Sequence, residues 1–273
     1  MKKCISFFVA LMMLFGICGI SAFAEGTGAT ANVYVTVADD SGKLVLAQEP
    51  ITVTDRNNDG KLTVDEALFA THEATYEGGA AAGYGSADGQ WGLSLTKLWG
   101  IENGGSYGYY VNHVSAVGLG DTVKEGDYVA AFVYTDTTAW SDHYTFFDKN
   151  TLTADEGSEV TVTLSAAGYD ADYTPVTVPV KNATITVNGE AGEYKTDENG
   201  KVTLKFSKAG TFVISAASAS DTLVPPVLTV TVTEKSPQTG DSSTTALYMV
   251  FLAVSAMGMV VSARKFKRNA NEE

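Results

Sequence analysis

Cysteine is almost absent from this chain of 273 residues: there are two, Cys4 and Cys18. Both lie in an N-terminal stretch that reads as a secretion signal. Lys2-Lys3, an apolar run from Ile5 to Ile20, and Ala22-Phe23-Ala24 supply the charged start, the hydrophobic middle and a small-residue cleavage site. Removal of residues 1–24, with Ala22 and Ala24 as the small residues of the cut, makes Glu25 the expected first residue of the mature chain. A lipidated Cys18 is the other reading of this end, but Ile17 precedes it where a small residue would be wanted. The exported part then carries no thiol, which excludes disulfides, thioester chemistry and cysteine catalysis.

Histidine and basic charge are scarce as well. His72, His113 and His143 are the three histidines, too far apart to have zinc-ligand spacing. Between Glu25 and Thr239 there are 29 acidic residues against 12 basic ones, a net charge of −17. Such a surface repels phosphates, and no basic stripe with interleaved aromatics appears, so nucleic acid is not an expected partner. There is no G-x-S-x-G, no H-E-x-x-H and no phosphate loop. Asp136 and Asp142 flank Trp140 as paired carboxylates, but acids are common enough here for that to be coincidence. A non-enzyme is expected.

What is present begins at the C-terminus. Ser236-Pro237-Gln238-Thr239-Gly240 is followed, after a short linker within 235–245, by an apolar run from Ala246 to Ala263 and by Arg264-Lys265-Phe266-Lys267-Arg268 within the tail 264–273. Eighteen residues at about 1.5 Å each reach roughly 27 Å, enough to cross a hydrocarbon core. The cations behind the run hold the tail on the cytoplasmic side, which leaves the pentapeptide just outside the membrane. The order of the three parts resembles the C-terminal sorting signal of Gram-positive cell-wall proteins. Ser236 stands where Leu is usual in that family, which bears on the class of sortase that reads it. The resemblance implies attack by a sortase cysteine on the Thr239 carbonyl, release from Gly240 onward, and transfer to peptidoglycan. The location implied is the cell wall, with a membrane-spanning precursor.

Residues 25–147 are expected to form one domain and 148–234 another. Ala31–Val37 alternates apolar and polar residues as a half-buried strand does. Leu44–Thr54 reads as a second strand interrupted at Pro50, and Asp65–Tyr76 as a helix. Gly78–Gly89 is glycine-rich and reads as a loop, with later strands at Gly108–Asn112 and Tyr128–Tyr134. In the last, Tyr128, Ala130, Phe132 and Tyr134 share one face, which suits a core or a single-sided surface. A helix on a mixed sheet, β-grasp-like and α+β, is the expected fold.

The strongest chemical motif spans residues 55–66. Asp55, Asn57 and Asp59 hold positions 1, 3 and 5 of a twelve-residue EF-hand-type loop, and Gly60 permits the turn at position 6. Lys61 would offer its backbone carbonyl, Thr63 an oxygen directly or through water, and Glu66 a bidentate carboxylate. Leu62 points to the core. A hard cation, calcium, is what such alternating oxygens select; an Asx-rich turn capping the helix without metal is the alternative. The β-branched segment Ile51–Thr54 before the loop is strand rather than helix, so the motif resembles the single loops grafted into secreted modules such as dockerins. With no second loop, a structural calcium is expected over a switch.

Gly105-Ser106-Tyr107-Gly108-Tyr109-Tyr110-Val111-Asn112-His113 and Val123–Val129 resemble the transcobalamin-like C-terminal domain family. His113 stands where that family often has Gly. The resemblance implies a β-grasp-like module related to binders of soluble ligands, and names no ligand. Aromatics are dense in this region. Tyr109, Tyr110 and Trp140 are candidates for a face on which a flat ligand, a sugar or a corrinoid, would stack, against the alternative that large residues fill a core lacking disulfides.

From Glu159 to Thr233, seven short alternating segments separated by turns such as Asp197-Glu198-Asn199-Gly200 predict an all-β sandwich of immunoglobulin type. Thr196–Leu204 with Lys208–Phe212 resembles bacterial Ig-like repeats of cell-surface proteins, which implies a stalk. The expected chain is thus a signal peptide, an α+β β-grasp-like domain, an Ig-like sandwich and a C-terminal transmembrane helix. Its expected role is non-catalytic display or adhesion at the wall, toward an extracellular ligand that the sequence does not name. Capture of a corrinoid-like or other small molecule, and a surface hydrolase, are the alternatives.

Overall fold

A computed structural model of the chain describes residues 29–235 except 91 and 173. The signal peptide with Ala22 and Ala24, the sorting motif Ser236–Gly240, the run 246–263 and the tail 264–273 lie outside the described residues. Gly26–Lys235 form one compact unit. No helix among the described residues is long and apolar enough to cross a membrane.

The N-terminal part, here the head lobe, comprises β1 (Thr30–Ala38), β2 (Leu44–Thr54), α1 (Val64–Thr75), α2 (Gly79–Gly83), β3 (Gly85–Gly89), β4 (Gly92–Lys97), β5 (Tyr107–Val111), β6 (Val114–Ser115) and β7 (Tyr128–Val133). Its main sheet has the order β2-β1-β7-β5-β6, with β1 parallel to β7 and the other pairs antiparallel. The alternation of β1 puts Val33, Val35 and Val37 on the face that α1 covers, where Ala67 and Leu68 meet them in one core. The expected mixed sheet with a helix on it is what forms.

Two details of this lobe differ from the sequence reading. The β2 strand runs straight through Pro50, which pairs with Tyr34; β2 is an edge strand, so the missing N–H breaks no ladder. The irregularity lies earlier: the register shifts between Val35↔Glu49 and Val37↔Leu46, a bulge with Gln48 at φ 49°. Gly78–Gly89 is not a loop. Ala80-Ala81-Ala82 favours helix strongly enough to form α2, and Gly85–Gly89 pairs with β4 as a hairpin.

The second part contains β8 (His143–Phe147), β9 (Thr151–Asp155), β10 (Glu159–Tyr169), β11 (Pro175–Pro179), β12 (Thr184–Val187), β13 (Glu190–Lys195), β14 (Lys201–Lys205), β15 (Gly210–Ala217), β16 (Leu223–Val224) and β17 (Leu228–Thr233). One sheet runs β11-β10-β8-β16 with β14 on β10, the other β13-β12-β15-β17-β9. Leu164 and Leu204 from the first meet Ile185, Ile214 and Val230 from the second in a common core, so the two sheets are a β-sandwich. All seven expected strands are present. In addition β8 pairs with β10, which puts His143–Phe147 in the sandwich although the expected boundary followed Phe147.

The head-lobe sheet is covered on both faces. Val129 and Ala131 of β7 face α1, while Phe132, with Ala130 and Tyr134 beside it, joins Ala38, Tyr144 and Val224 in a separate cluster built from both lobes. The face of Tyr128, Ala130, Phe132 and Tyr134 is therefore an interface with the sandwich rather than a free surface. The two-residue turn between β5 and β6 has Asn112 at φ 49° and His113 at φ 68°, the left-handed pair that a tight hairpin needs. Asn112 is held there: its Oδ1 accepts from Tyr128 N at 2.9 Å and its Nδ2 donates to Asp127 Oδ1 at 2.9 Å.

Candidate metal loop and the lobe interface

The loop 55–66 leaves the end of β2 and enters α1. Asp55 folds the chain back on itself: Oδ1 accepts from Asp59 N at 3.2 Å and Oδ2 from Gly60 N at 2.8 Å. Asn57 Oδ1 accepts from Asp59 N at 3.0 Å, and Asp59 Oδ1 from Lys61 N at 2.8 Å. Gly60 sits at φ 80° with open space around it, so glycine is required here by backbone conformation and not by crowding. Leu62 is buried in the head-lobe core, and its carbonyl accepts from Val123 N at 2.8 Å.

Thr63 and Glu66 form a capping box at the start of α1. Thr63 Oγ1 accepts from Glu66 N at 3.3 Å and Glu66 Oε2 accepts from Thr63 N at 3.0 Å. Glu66 Oε1 reaches across the loop to accept from Arg56 N at 2.7 Å. The first helical N–H groups find carbonyls in the chain before β7: Val64 N donates to Asp121 O and Asp65 N to Leu119 O, both at 2.9 Å. Asp65 turns away from the loop, accepting from the Tyr84 hydroxyl at 2.6 Å and lying 3.9 Å from the Arg56 guanidinium. That guanidinium lies over the Phe69 ring, 3.2 Å from its centroid. Burial, and then the bond to Asp65, push the Tyr84 hydroxyl upward.

The donor set fits a hard cation in kind. Asp55 and Glu66 are 9% and 4% exposed, and neither has a basic side chain in ion-pair reach among the described residues. Buried carboxylates ordinarily have a counter-charge. An open cleft of about 430 Å³ lies against the loop, bordered by Asn57, Asp59, Thr63 and Glu66 on one side and Leu93 and Gly120 on the other. In the geometry described the carboxylates are turned toward backbone N–H groups. Among the described residues no three His, Cys, Asp or Glu side chains converge as a ready-made metal cage. The loop therefore carries the features of both readings, an Asx-rich capping turn and an oxygen-rich cation loop.

The candidate ligand face does not assemble. Tyr109 and Tyr110 are neighbours on β5 and point to opposite faces: Tyr109 packs on the core beneath α1, Tyr110 joins the interface cluster. Tyr110 stacks on Tyr144 of the sandwich at 3.6 Å and 7°, with its hydroxyl pushed up to about 12 by burial and by neighbouring Tyr134 and Tyr169. Trp140 is 59% exposed and donates to Ser106 Oγ at 3.3 Å. The aromatics are mostly interior and interface residues.

Three polar residues outside the candidate site sets prove structurally central. His72 is fully buried on α1; Leu68 O lies 2.6 Å from Nδ1, and Trp99 N donates to Nε2 at 3.0 Å, which fixes a neutral ring. Burial pushes its pKa down. Gln48 leaves the bulge of β2 to enter the sandwich: Nε2 donates to Asn150 O at 3.0 Å and Val227 O at 3.2 Å, and Oε1 accepts from Thr229 Oγ1 at 2.6 Å. His113 stacks on Phe146 at 4.6 Å and 12°, with Nδ1 3.1 Å from the Tyr144 hydroxyl and Nε2 3.0 Å from Asn150 Oδ1. Only the displacement of Gly by His113 was a sequence signal for any of these.

No family model matches the chain, and no curated protein matches it by sequence. Among solved structures, tandem Ig repeats of Dlar are similar over 76% of this chain and 98% of that one, at 12% identity and a TM-score of 0.26. The N-terminal Ig1-2 module of the Drosophila receptor protein tyrosine phosphatase DLAR is matched at 15% identity, over 55% and 74% of the two chains, with a TM-score of 0.25. Four Ig domains of Dscam1 isoform 6.9 are matched at 14% identity over 56% of this chain and 36% of that one, with a TM-score of 0.22. At such scores these likenesses carry no argument about fold or function, and the chain's own residues must supply it.

Proposed function

We propose that this chain is an exported, non-catalytic surface protein, delivered to the cell wall by its C-terminal signal, whose β-grasp-like head binds calcium through residues 55–66. The observation that carries the calcium reading is the pair of buried, uncompensated carboxylates, Asp55 and Glu66, with Asn57 and Asp59 between them. Bound calcium supplies the missing positive charge and ties the end of β2 to the start of α1. Asp55, Asn57, Asp59, the Lys61 carbonyl, Thr63 and Glu66 would hold it. A single loop with a strand in front of it has no helix pair to open, so the ion is structural.

The sandwich fits an Ig-like stalk. Its last strand, β17, lies between β15 and a parallel edge strand, β9, while β10 and β14 pair in the facing sheet. The anchor rests on Ser236–Gly240 with the apolar run and basic tail behind it. Thr239→Ala is expected to leave the protein extractable in the membrane fraction; wall attachment that survives it would overturn the anchoring.

Calcium is tested by thermal melts of the full chain with calcium and with chelator. At free calcium near 100 times a dissociation constant of about 10⁻⁴ to 10⁻³ M, the gain is roughly 2.7 kcal/mol, or about 5–10 °C. Glu66→Gln keeps the capping box, since glutamine serves at that position, but loses the charged bidentate ligand. It is expected to melt below the parent in chelator, since its amide cannot accept from both Thr63 N and Arg56 N, and to show no further increment when calcium is added. Equal melting temperatures of the parent with and without calcium would leave only the capping-turn reading.

A further inference from the structure

We propose that His113 is an acid-sensitive clasp between the head lobe and the sandwich: a proton taken up by its ring loosens the two from each other. The position is a costly one for histidine. His113 stands second in a two-residue hairpin turn at φ 68°, where glycine is the favoured residue and a branched ring is strained. What the ring gains there is entirely across the interface. It stacks on Phe146 of β8, and both of its nitrogens meet sandwich residues, the Tyr144 hydroxyl and Asn150 Oδ1.

Those partners suit a neutral ring. Asn150 Oδ1 only accepts, so Nε2 carries the proton and Nδ1 accepts from Tyr144. Protonation makes Nδ1 a second donor, so the Tyr144 hydroxyl has to turn its own proton away and accept, giving up the bond it donated. The Tyr144 ring is locked by its stack on Tyr110. Among the described residues no carboxylate stands ready to receive the cation. From β8 it faces Tyr144 and Phe146, from the segment after β8 Asn150, and the small cavity beside it is bordered by Gln48 of β2 and Tyr128 of β7. Asp148 next to Asn150 pairs with Lys149 at 3.2 Å, and Asp127 beneath the turn is occupied by Asn112 and Lys124 N. The ring itself is half-buried, and the cavity beside it, about 30 Å³, adds room for a single water, so an imidazolium there would be only partly hydrated.

Burial accordingly pushes the His113 pKa down. The sign follows: with the closed-state value below the open-state one, closure is favoured fully above the ordinary imidazole range. It is lost as pH falls through that range to the closed-state pKa. Two other groups elsewhere in the molecule carry shifts from burial. His72, buried in the head-lobe core, is also acid-labile, whereas Glu49, raised by burial, works in the opposite sense.

With three histidines in the chain, ring resonances can be assigned from single substitutions and followed by NMR. The test records His113 titration in the full chain between pH 7.5 and 4.5, alongside proteolysis of the connection between β7 and β8. Connection cleavage is expected to accelerate with the protonation of His113, about tenfold for each unit by which the ring is depressed. His113→Gly suits the turn and His113→Asn tolerates it; both are expected to remain docked through Gln48 and the aromatic stack, and to lose the acid step. An acid step that persists in both variants, or tracks His72 instead, overturns the proposal, as does a His113 that titrates with cleavage unchanged.

Discussion

Phe132→Ala is expected to lower the unfolding free energy of this chain by about 3–5 kcal/mol, the loss typical of a fully buried aromatic ring. Phe132 is 1% exposed and occupies the centre of the cluster shared by the two lobes. Its ring lies 5.0 Å from Tyr134 and 6.3 Å from both Tyr110 and Tyr144. Beneath it the β5 backbone must be glycine: a Cβ on Gly108 would fall 2.1 Å from the ring. The site is thus bounded on one side by backbone, which cannot move in to fill the space, and on the other by rings locked in mutual stacks. The cavity stays open, and the cavity contribution adds to the lost burial. Urea unfolding followed by tyrosine fluorescence measures it. A loss under 1 kcal/mol would mean that the lobes close up over the gap. Phe132→Leu, which keeps most of the volume, is expected to recover the larger part. Separate transitions for the two lobes, appearing only in the alanine variant, would locate the loss at their interface.

The strands were the most legible part of the sequence. Period two shows in Ala31–Val37 and Val202–Phe206, where buried and more exposed residues alternate; Val227–Thr233 alternates in sequence although residues of both its faces are buried. Helix α1 was legible from its composition and apolar spacing; the Thr63–Glu66 capping box was not, because both residues were read as cation ligands. What escaped were features decided by partners distant in the chain. Tyr128–Tyr134 alternates like a one-sided strand, yet its second face is covered by residues from β8 and β16, more than ten to ninety positions later. His143–Phe147 has strand character, but no local signal tells that it pairs with β10. The interruption of β2 was expected at Pro50, because proline is the visible breaker; it lies at Gln48 instead, and the edge position that excuses the proline is a tertiary fact. The turn of residues 55–60 was legible as an Asx-rich pattern. Its local geometry follows from short-range hydrogen bonds of Asp55, Asn57 and Asp59 to backbone N–H groups, which is why spacing alone anticipates it. Tyr109 and Tyr110 fail as a shared face for the simplest reason: consecutive strand residues point opposite ways.

Gln48→Leu is expected to cost about 3–5 kcal/mol, comparable with the loss of Phe132 although it removes no volume. The side chain is 4% exposed and satisfies three groups of the sandwich at once: the carbonyls of Asn150 and Val227 and the hydroxyl of Thr229. Leucine fits the space and strands the Val227 carbonyl and the Thr229 hydroxyl, while Asn150 O keeps the bond from Thr229 N at 3.0 Å; each buried group left without a partner costs about 1–3 kcal/mol. The neighbouring cavity of about 30 Å³ admits one water, which can serve some of them but not restore the full set. Leucine also inherits φ 49° in the bulge, a left-handed conformation that suits it no better than glutamine. Gln48→Glu should be worse at neutral pH, because a carboxylate would face two carbonyl oxygens, and should improve in acid as it becomes a donor. A double-mutant cycle with Thr229→Val isolates the 2.6 Å bond, for which a coupling of about 0.5–3 kcal/mol is expected. A coupling near zero would mean that Gln48 serves the bulge, through its own N–H to Thr36 Oγ1 at 3.1 Å, and not the sandwich. The directional bonds that fix one arrangement of the two lobes would then be those of His113 to Tyr144 and Asn150.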